Sequence, residues 1–158
     1  MIDEFATIIS PAALRLKAMD LLARREHSRH ELADKLKTKF TLGGEHLSTL
    51  EEVLDKLIED DLLSDQRFAE ALVRSKLHKG QGPRRITQEL HKRGIAAELA
   101  ATAIDDSGTD WCQLAVAVAH KKYGNRPVED VKERAKRSRF LQYRGFDADQ
   151  ITYALSRY

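Results

Sequence analysis

The sequence predicts an all-α protein, an elongated tandem array of three related three-helix modules. Three observations lead there. Helix starts and stops recur at short intervals along the 158 residues. Two stretches repeat each other at a spacing of 51 residues. No segment alternates apolar and polar residues for long enough to make a strand.

The first module begins where Ser10-Pro11 reads as an N-cap with proline at the first helical position, where a missing N–H costs nothing. Leu14, Ala18, Leu21 and Leu22 follow at helical spacing. Ser28 with Glu31 forms a capping box before a short helix marked by Leu32 and Leu36. Gly43-Gly44 breaks the chain, and Leu47, Leu50, Val53, Leu54, Leu57 and Ile58 mark a third helix. In the second module Ser64 caps a helix carrying Phe68, Ala71, Leu72 and Leu77. Gly80-Gln81-Gly82-Pro83 turns the chain into a helix with Ile86 and Leu90 on its apolar face, and Gly94 ends it. Ile95 and the alanine-rich 97–104 stretch complete that module. In the third, Asp110 caps a helix over 111–123, a basic helix spans about 128–143, Gly145 ends it, and 147–155 forms the last helix.

Leu90-His91-Lys92-Arg93-Gly94-Ile95 parallels Leu141-Gln142-Tyr143-Arg144-Gly145-Phe146, and Ala103-Ile104 parallels Ala154-Leu155. The first module echoes this more faintly, with Leu32, Leu36 and Lys39 standing for Ile86, Leu90 and Arg93. Modules are expected at 1–63, 64–106 and 107–158. Units this small bury little surface alone, so neighbours must share cores, and such arrays bind along a concave face.

Composition narrows the function. No apolar run reaches the roughly 20 residues that span a bilayer. Asp3 and Glu4 sit where a leader would be basic, so no signal peptide is expected. One cysteine, Cys112, allows no intrachain disulfide and fits a reducing cytosol. Charge is uneven: Lys+Arg against Asp+Glu is 9 to 13 over residues 1–63, 8 to 4 over 64–104, and 10 to 8 over 105–158. An acidic first third and a basic remainder suggest two surfaces with different partners.

Enzyme chemistry is missing. There is no G-x-S-x-G, P-loop or dinucleotide glycine pattern. Cys112 lacks a basic or histidine neighbour and reads as a small apolar residue. His27 and His30 straddle a helix start, so no metal site is expected, and neither catalytic residue nor cofactor is assigned.

Two basic constellations remain. Arg74, Lys76 and Lys79 end one helix, Arg84 and Arg85 follow the glycine-proline turn, and Lys92 and Arg93 end the next helix. The turn brings these charges to one side, and the second helix's start offers free N–H groups to an anion. Lys92 and Arg93 also suit a helix C-terminus. The second constellation is Lys132, Arg134, Lys136, Arg137, Arg139 and Arg144, with Lys132, Lys136 and Arg139 on one stripe. Basic helices of this kind serve phosphate backbones or acidic protein surfaces. Helical spacing puts Phe140, Tyr143 and Phe146 in the core. The triplets also look like helix-turn-helix modules, so a duplex-binding transcription regulator is the alternative, although Gln88 is the one evident base reader.

At this point the residues resemble the bacterial RecX family. The run is Leu62-Leu63-Ser64-Asp65, Phe68-Ala69, Arg74, Gly80-x-Gly82-Pro83, Ile86, Glu89-Leu90 and Arg93-Gly94-Ile95. Leu54 and Leu57 precede it, and Phe140-Leu141 with Arg144-Gly145-Phe146 follow near the C-terminus. The likeness covers residues 14–155. Lys76 stands where arginine is usual, and the first module is the least distinctive. The resemblance implies three tandem three-helix repeats and a negative regulator of the RecA recombinase. Proteins of this kind lie in the groove of the RecA–single-stranded-DNA filament and bridge its protomers. They block extension or promote disassembly, and so damp ATP hydrolysis, strand exchange and LexA co-cleavage in recombination and the SOS response. The partner is then the RecA nucleoprotein filament, with weak contact to single- or double-stranded DNA, no membrane, and a monomeric chain in the cytoplasm.

Overall fold

The structure, a computed structural model, describes residues 9–158. Asp3 and Glu4, the basis for expecting no leader, lie outside them. Among the described residues every regular element is helical. The α-helices are α1 (Pro11–Arg24), α2 (Arg29–Phe40), α3 (Leu47–Glu59), α4 (Asp65–His78), α5 (Pro83–Lys92), α6 (Ala97–Asp106), α7 (Trp111–Tyr123), α8 (Val131–Tyr143) and α9 (Ala148–Leu155). A short 3-10 turn, Gly44–His46, precedes α3. The fold is all-α and follows the three-triplet order. None of the described helices is long and apolar enough to cross a membrane.

Local polar chemistry sets most of the boundaries. Ser10 Oγ accepts from the Ala13 N–H, Ser28 from Glu31, Ser64 from Arg67, Asp110 from Gln113 and Asp147 from Gln150. Each oxygen satisfies an N–H that the first helical turn leaves without a backbone partner. The basic helix of the third module begins at Val131, later than its composition suggests. Asp130 is the reason: its carboxylate accepts from the Glu133 N–H at 2.7 Å and fixes the cap there.

The chain divides into two compact units, residues through Phe68 and residues Ala69–Tyr158, with the boundary inside α4. The central and third triplets thus share one unit. The first unit's core is Leu14, Ala18, Leu32, Leu36, Leu50, Val53, Leu54, Leu57 and Leu63. Among its buried polar groups, which include Ser28 and Glu31, is His27, 1% exposed. The ring lies 3.1 Å from the Arg25 carbonyl at Nδ1 and 3.0 Å from the Lys35 ammonium at Nε2. A neutral ring donating from Nδ1 satisfies both, and burial pushes its pKa down. The two ring nitrogens are therefore engaged in packing the start of α2, while His30 pairs with Asp34. In the second unit α5 packs on α6, and α7, α8 and α9 enclose Ala115, Val118, Ala119, Leu141, Phe146, Ala154 and Leu155.

The middle helix of every triplet ends on a left-handed residue: Thr41 (φ 52°), Gly94 (φ 77°) and Gly145 (φ 100°). The following N–H reaches back five residues each time, Leu42 to Lys37, Ile95 to Leu90 and Phe146 to Leu141, at 2.9–3.1 Å. Relative to its cap, the left-handed residue of α2 comes one position later than that of α5. This extra residue offsets the end of α2 from that of α5. A β-branched threonine is poorly suited to the conformation, which costs an L-residue about 1–2 kcal/mol. Glycine gives back part of that gain as unfolded-chain entropy. Thr41→Gly is expected to stabilise the chain by about 0.5–1 kcal/mol in urea unfolding; a loss of stability would show that the threonine side chain contributes more than its backbone strain costs.

Candidate binding surface on the central and third triplets

Two turns meet at the centre of the second unit. The Gly82 N–H donates to the Arg144 carbonyl at 2.7 Å, and the Arg84 N–H donates to the Gly145 carbonyl at 2.9 Å. The C-terminal end of α8 thereby caps the N-terminal end of α5, matching orphan acceptors to orphan donors and opposing dipole ends. The backbones touch so closely that a β-carbon on Gly82 would lie 2.5 Å from the Gly145 carbonyl. One on Gly145 would lie 2.4 Å from the Arg85 Cβ. This corrects one expectation: the start of α5 does not present these N–H groups to an anion, because α8 has taken them.

Side chains reinforce the contact. Arg144 donates from Nη1 to the Lys79 carbonyl at 3.0 Å and lies over the Phe140 ring. The Arg85 guanidinium lies 5.0 Å from the centre of the Tyr143 ring. Tyr143 is 73% exposed, contrary to its expected place in the core. It sits in the last turn of α8, just before the chain turns away at Gly145, while Phe146 is buried and Phe140 partly so.

The thirteen basic residues of the two constellations fall into distinct settings; Arg134 is exposed and off the Lys132 stripe. Arg137 is 2% exposed. Its Nε holds Glu133 at 2.9 Å, its Nη1 and Nη2 donate to the Arg126 and Pro127 carbonyls, and the rings of Tyr123 and Tyr158 flank it. This arginine is committed to holding the third triplet together. Arg93 pairs with Glu89. The other ten, Arg74, Lys76, Lys79, Arg84, Arg85, Lys92, Lys132, Lys136, Arg139 and Arg144, make no ion pair among the described residues. In the first unit Arg15, Lys17, Arg24, Arg25, Arg29, Lys56 and Arg67 each hold a carboxylate, while Lys37 and Lys39 make no ion pair among the described residues.

Three open grooves collect the uncompensated charges. One, of about 490 Å³, is lined by Arg84, Arg85, Gln88, Gln142, Tyr143 and Gly145. A second, of about 460 Å³, gathers Lys79 and Arg144 with Lys121 and Lys122. The third, of about 470 Å³, runs along the stripe Lys132, Lys136 and Arg139, with Glu129, Asp130 and Glu133 opposing. Arg74 and Lys76 line none of these, and Lys92 edges a separate recess with Gln88, His91 and Ile95. Lys121 and Lys122 escaped the sequence reading, although two adjacent lysines before Tyr123-Gly124 were the available signal. Cys112 is half-buried, and burial together with Asp110, Asp147 and Asp149 pushes its thiol up, away from a reactive thiolate.

Comparison with known proteins fits this architecture. Models of the first, second and third three-helix domains of RecX match residues 15–41, 64–104 and 109–155. The Regulatory protein RecX of Halorhodospira halophila is 43% identical over 142 residues, covering 90% of this chain and 86% of its own. The chain belongs to the RecX family. The Regulatory protein RecX of Pseudomonas syringae pv. tomato is 39% identical over 151 residues, 96% of this chain and 95% of its own. The crystal structure of RecX from Lactobacillus salivarius superposes with a TM-score of 0.76 at 26% identity, covering 92% of this chain and 94% of that one. In this RecX-family chain two motifs that carried the resemblance, Gly80-x-Gly82-Pro83 and Arg144-Gly145-Phe146, are the two halves of one backbone contact.

Two outcomes follow from these contacts. Gly145→Ala must combine a positive φ with a clash against Arg85, and should cost at least about 2 kcal/mol in urea unfolding. A near-neutral result would mean that the two turns separate easily. Arg137→Lys keeps the charge but loses the fork that serves Glu133 and two carbonyls at once. It should destabilise the chain by about 2 kcal/mol or more, as expected when a buried, multiply bonded cation loses partners, whereas Arg139→Lys, on the exposed side, should be silent.

Proposed function

We propose that this chain is a non-enzymatic negative regulator of the RecA recombinase. It binds in the groove of the RecA–single-stranded-DNA filament, bridges protomers, and opposes filament extension, ATP hydrolysis, strand exchange and co-protease activity. It acts in the cytoplasm as a monomer, through modules bounded at 1–63, 64–106 and 107–158. The names of its RecX relatives support the regulatory class.

One observation carries the binding part of the reading. In a chain of nearly balanced charge, seven cations of the first unit hold carboxylates, whereas in the central and third triplets ten of the candidate cations make no ion pair among the described residues. Unpaired surface cations cost self-repulsion and return it only when an acidic or phosphate surface is met. Arg74, Lys79, Arg84, Lys92, Lys132, Lys136 and Arg139 are exposed and form the contact set, with Lys76, Arg85 and Arg144 beside them. Arg93 and Arg137 serve the fold. Inhibition is steric: a chain spanning neighbouring protomers opposes the motions of ATP turnover and supplies no chemistry.

Co-sedimentation with preformed RecA filaments tests the assignment. The triple change Arg74→Glu, Arg84→Glu and Lys132→Glu should weaken retention roughly tenfold or more at moderate salt, with helical content unchanged by circular dichroism. Full retention of the variant would remove these residues from the site. Selective retention on one duplex sequence over random duplex would favour the transcription-regulator alternative.

A further inference from the structure

The groove between the end of α4, α7 and α8 has a character that phosphate binding does not explain. Its floor is Leu77, Leu114, Ala117, Val118 and part of Phe140, and its rim is Lys79, Lys121, Lys122 and Arg144, with His78 at the edge. The lining contains no carboxylate. Lys121 and Lys122 are exposed and make no ion pair among the described residues. The volume, about 460 Å³, admits one or two large side chains.

Grooves that hold single-stranded nucleic acid combine their cations with open aromatic faces on which bases stack. Here the floor is mainly aliphatic. The phenyl ring of Phe140 already carries the Lys122 ammonium at 5.5 Å and the Arg144 guanidinium at 5.2 Å, and meets Tyr123 edge-on. A cationic rim around an aliphatic floor instead complements a peptide whose carboxylates flank one apolar side chain. The apolar group gains from leaving water, and the flanking carboxylates set orientation and discourage basic partners. Gly80 keeps the mouth open at one end, since a β-carbon there would lie 2.9 Å from Val118 Cγ2.

We propose that this groove is a docking site for an acidic peptide segment of a partner protein, anchored by one large apolar residue. The site lies apart from the Arg84–Tyr143 groove and the Lys132 stripe; it shares Lys79 and Arg144 with the proposed filament contact set, and Lys121 and Lys122 are its own.

The test uses the full chain, labelled with nitrogen-15, and a synthetic peptide of alternating Glu and Asp with one central Phe. Titration should shift amide resonances around Leu77, Val118, Lys121 and Lys122 saturably. Replacing the peptide's Phe by Ala should weaken binding several-fold, and Lys121→Glu with Lys122→Glu should weaken it roughly tenfold or more. Because the peptide change leaves the protein untouched, a folding defect in the variant cannot mimic the result. Shifts scattered over all basic surfaces, indifference to the Phe, or tighter occupation of these same amides by oligothymidylate would each overturn the proposal.

Discussion

The second unit depends on the hydrogen bonds from Gly82 and Arg84 to the carbonyls of Arg144 and Gly145. The end of a helix leaves carbonyls without partners and the start of a helix leaves N–H groups without partners, and each unmet group costs when water is excluded. Facing the end of α8 with the start of α5 meets both needs at once. The approach demands two residues without side chains, which Gly82 and Gly145 provide. Once the turns touch, Arg85 comes to lie over Tyr143, Arg144 reaches Lys79, and the rims of two grooves fall on either side of one seam. The geometry of the candidate surface is thus a consequence of backbone chemistry.

Charge then divides the labour between the units. Exposed ion pairs contribute little stability individually, typically about 0–1 kcal/mol each. The pairs of the first unit matter more for what they remove, a free cationic surface. Ten of the second unit's candidate cations stay free of ion pairs among the described residues, while Arg93 pairs with Glu89 and Arg137 has its guanidinium buried between two tyrosines and held by Glu133. A basic run in a sequence therefore contains both kinds of residue: cations free at the surface and struts for the fold.

Much of the fold was legible because its punctuation is local. Ser10, Ser28, Ser64, Asp110 and Asp147 cap helices through oxygens that reach only three residues ahead, and Gly94 and Gly145 announce helix ends by type. What stayed hidden depends on contacts distant in sequence. Nothing in periodicity says that the turn at Gly82 meets the turn at Gly145, so the backbone contact that joins the central and third triplets stayed hidden. Arg137 is indistinguishable by composition from Lys136 and Arg139 on either side. Only its rotation toward Tyr123 and Tyr158 sets it apart. Val128 and Glu129 suit a helix on propensity alone, and the Asp130 cap excludes them. The surface was legible as a set of charges, and its partition into three grooves required the fold.

The most direct measurement is single-stranded-DNA-dependent ATP hydrolysis by RecA, with this chain titrated in far below the RecA concentration. Inhibition at sub-stoichiometric ratios is the expected result if one bound chain spans protomers and stalls extension or propagates disassembly along the filament. Undiminished hydrolysis at equal concentrations, with chain that still binds the filament, would contradict this account.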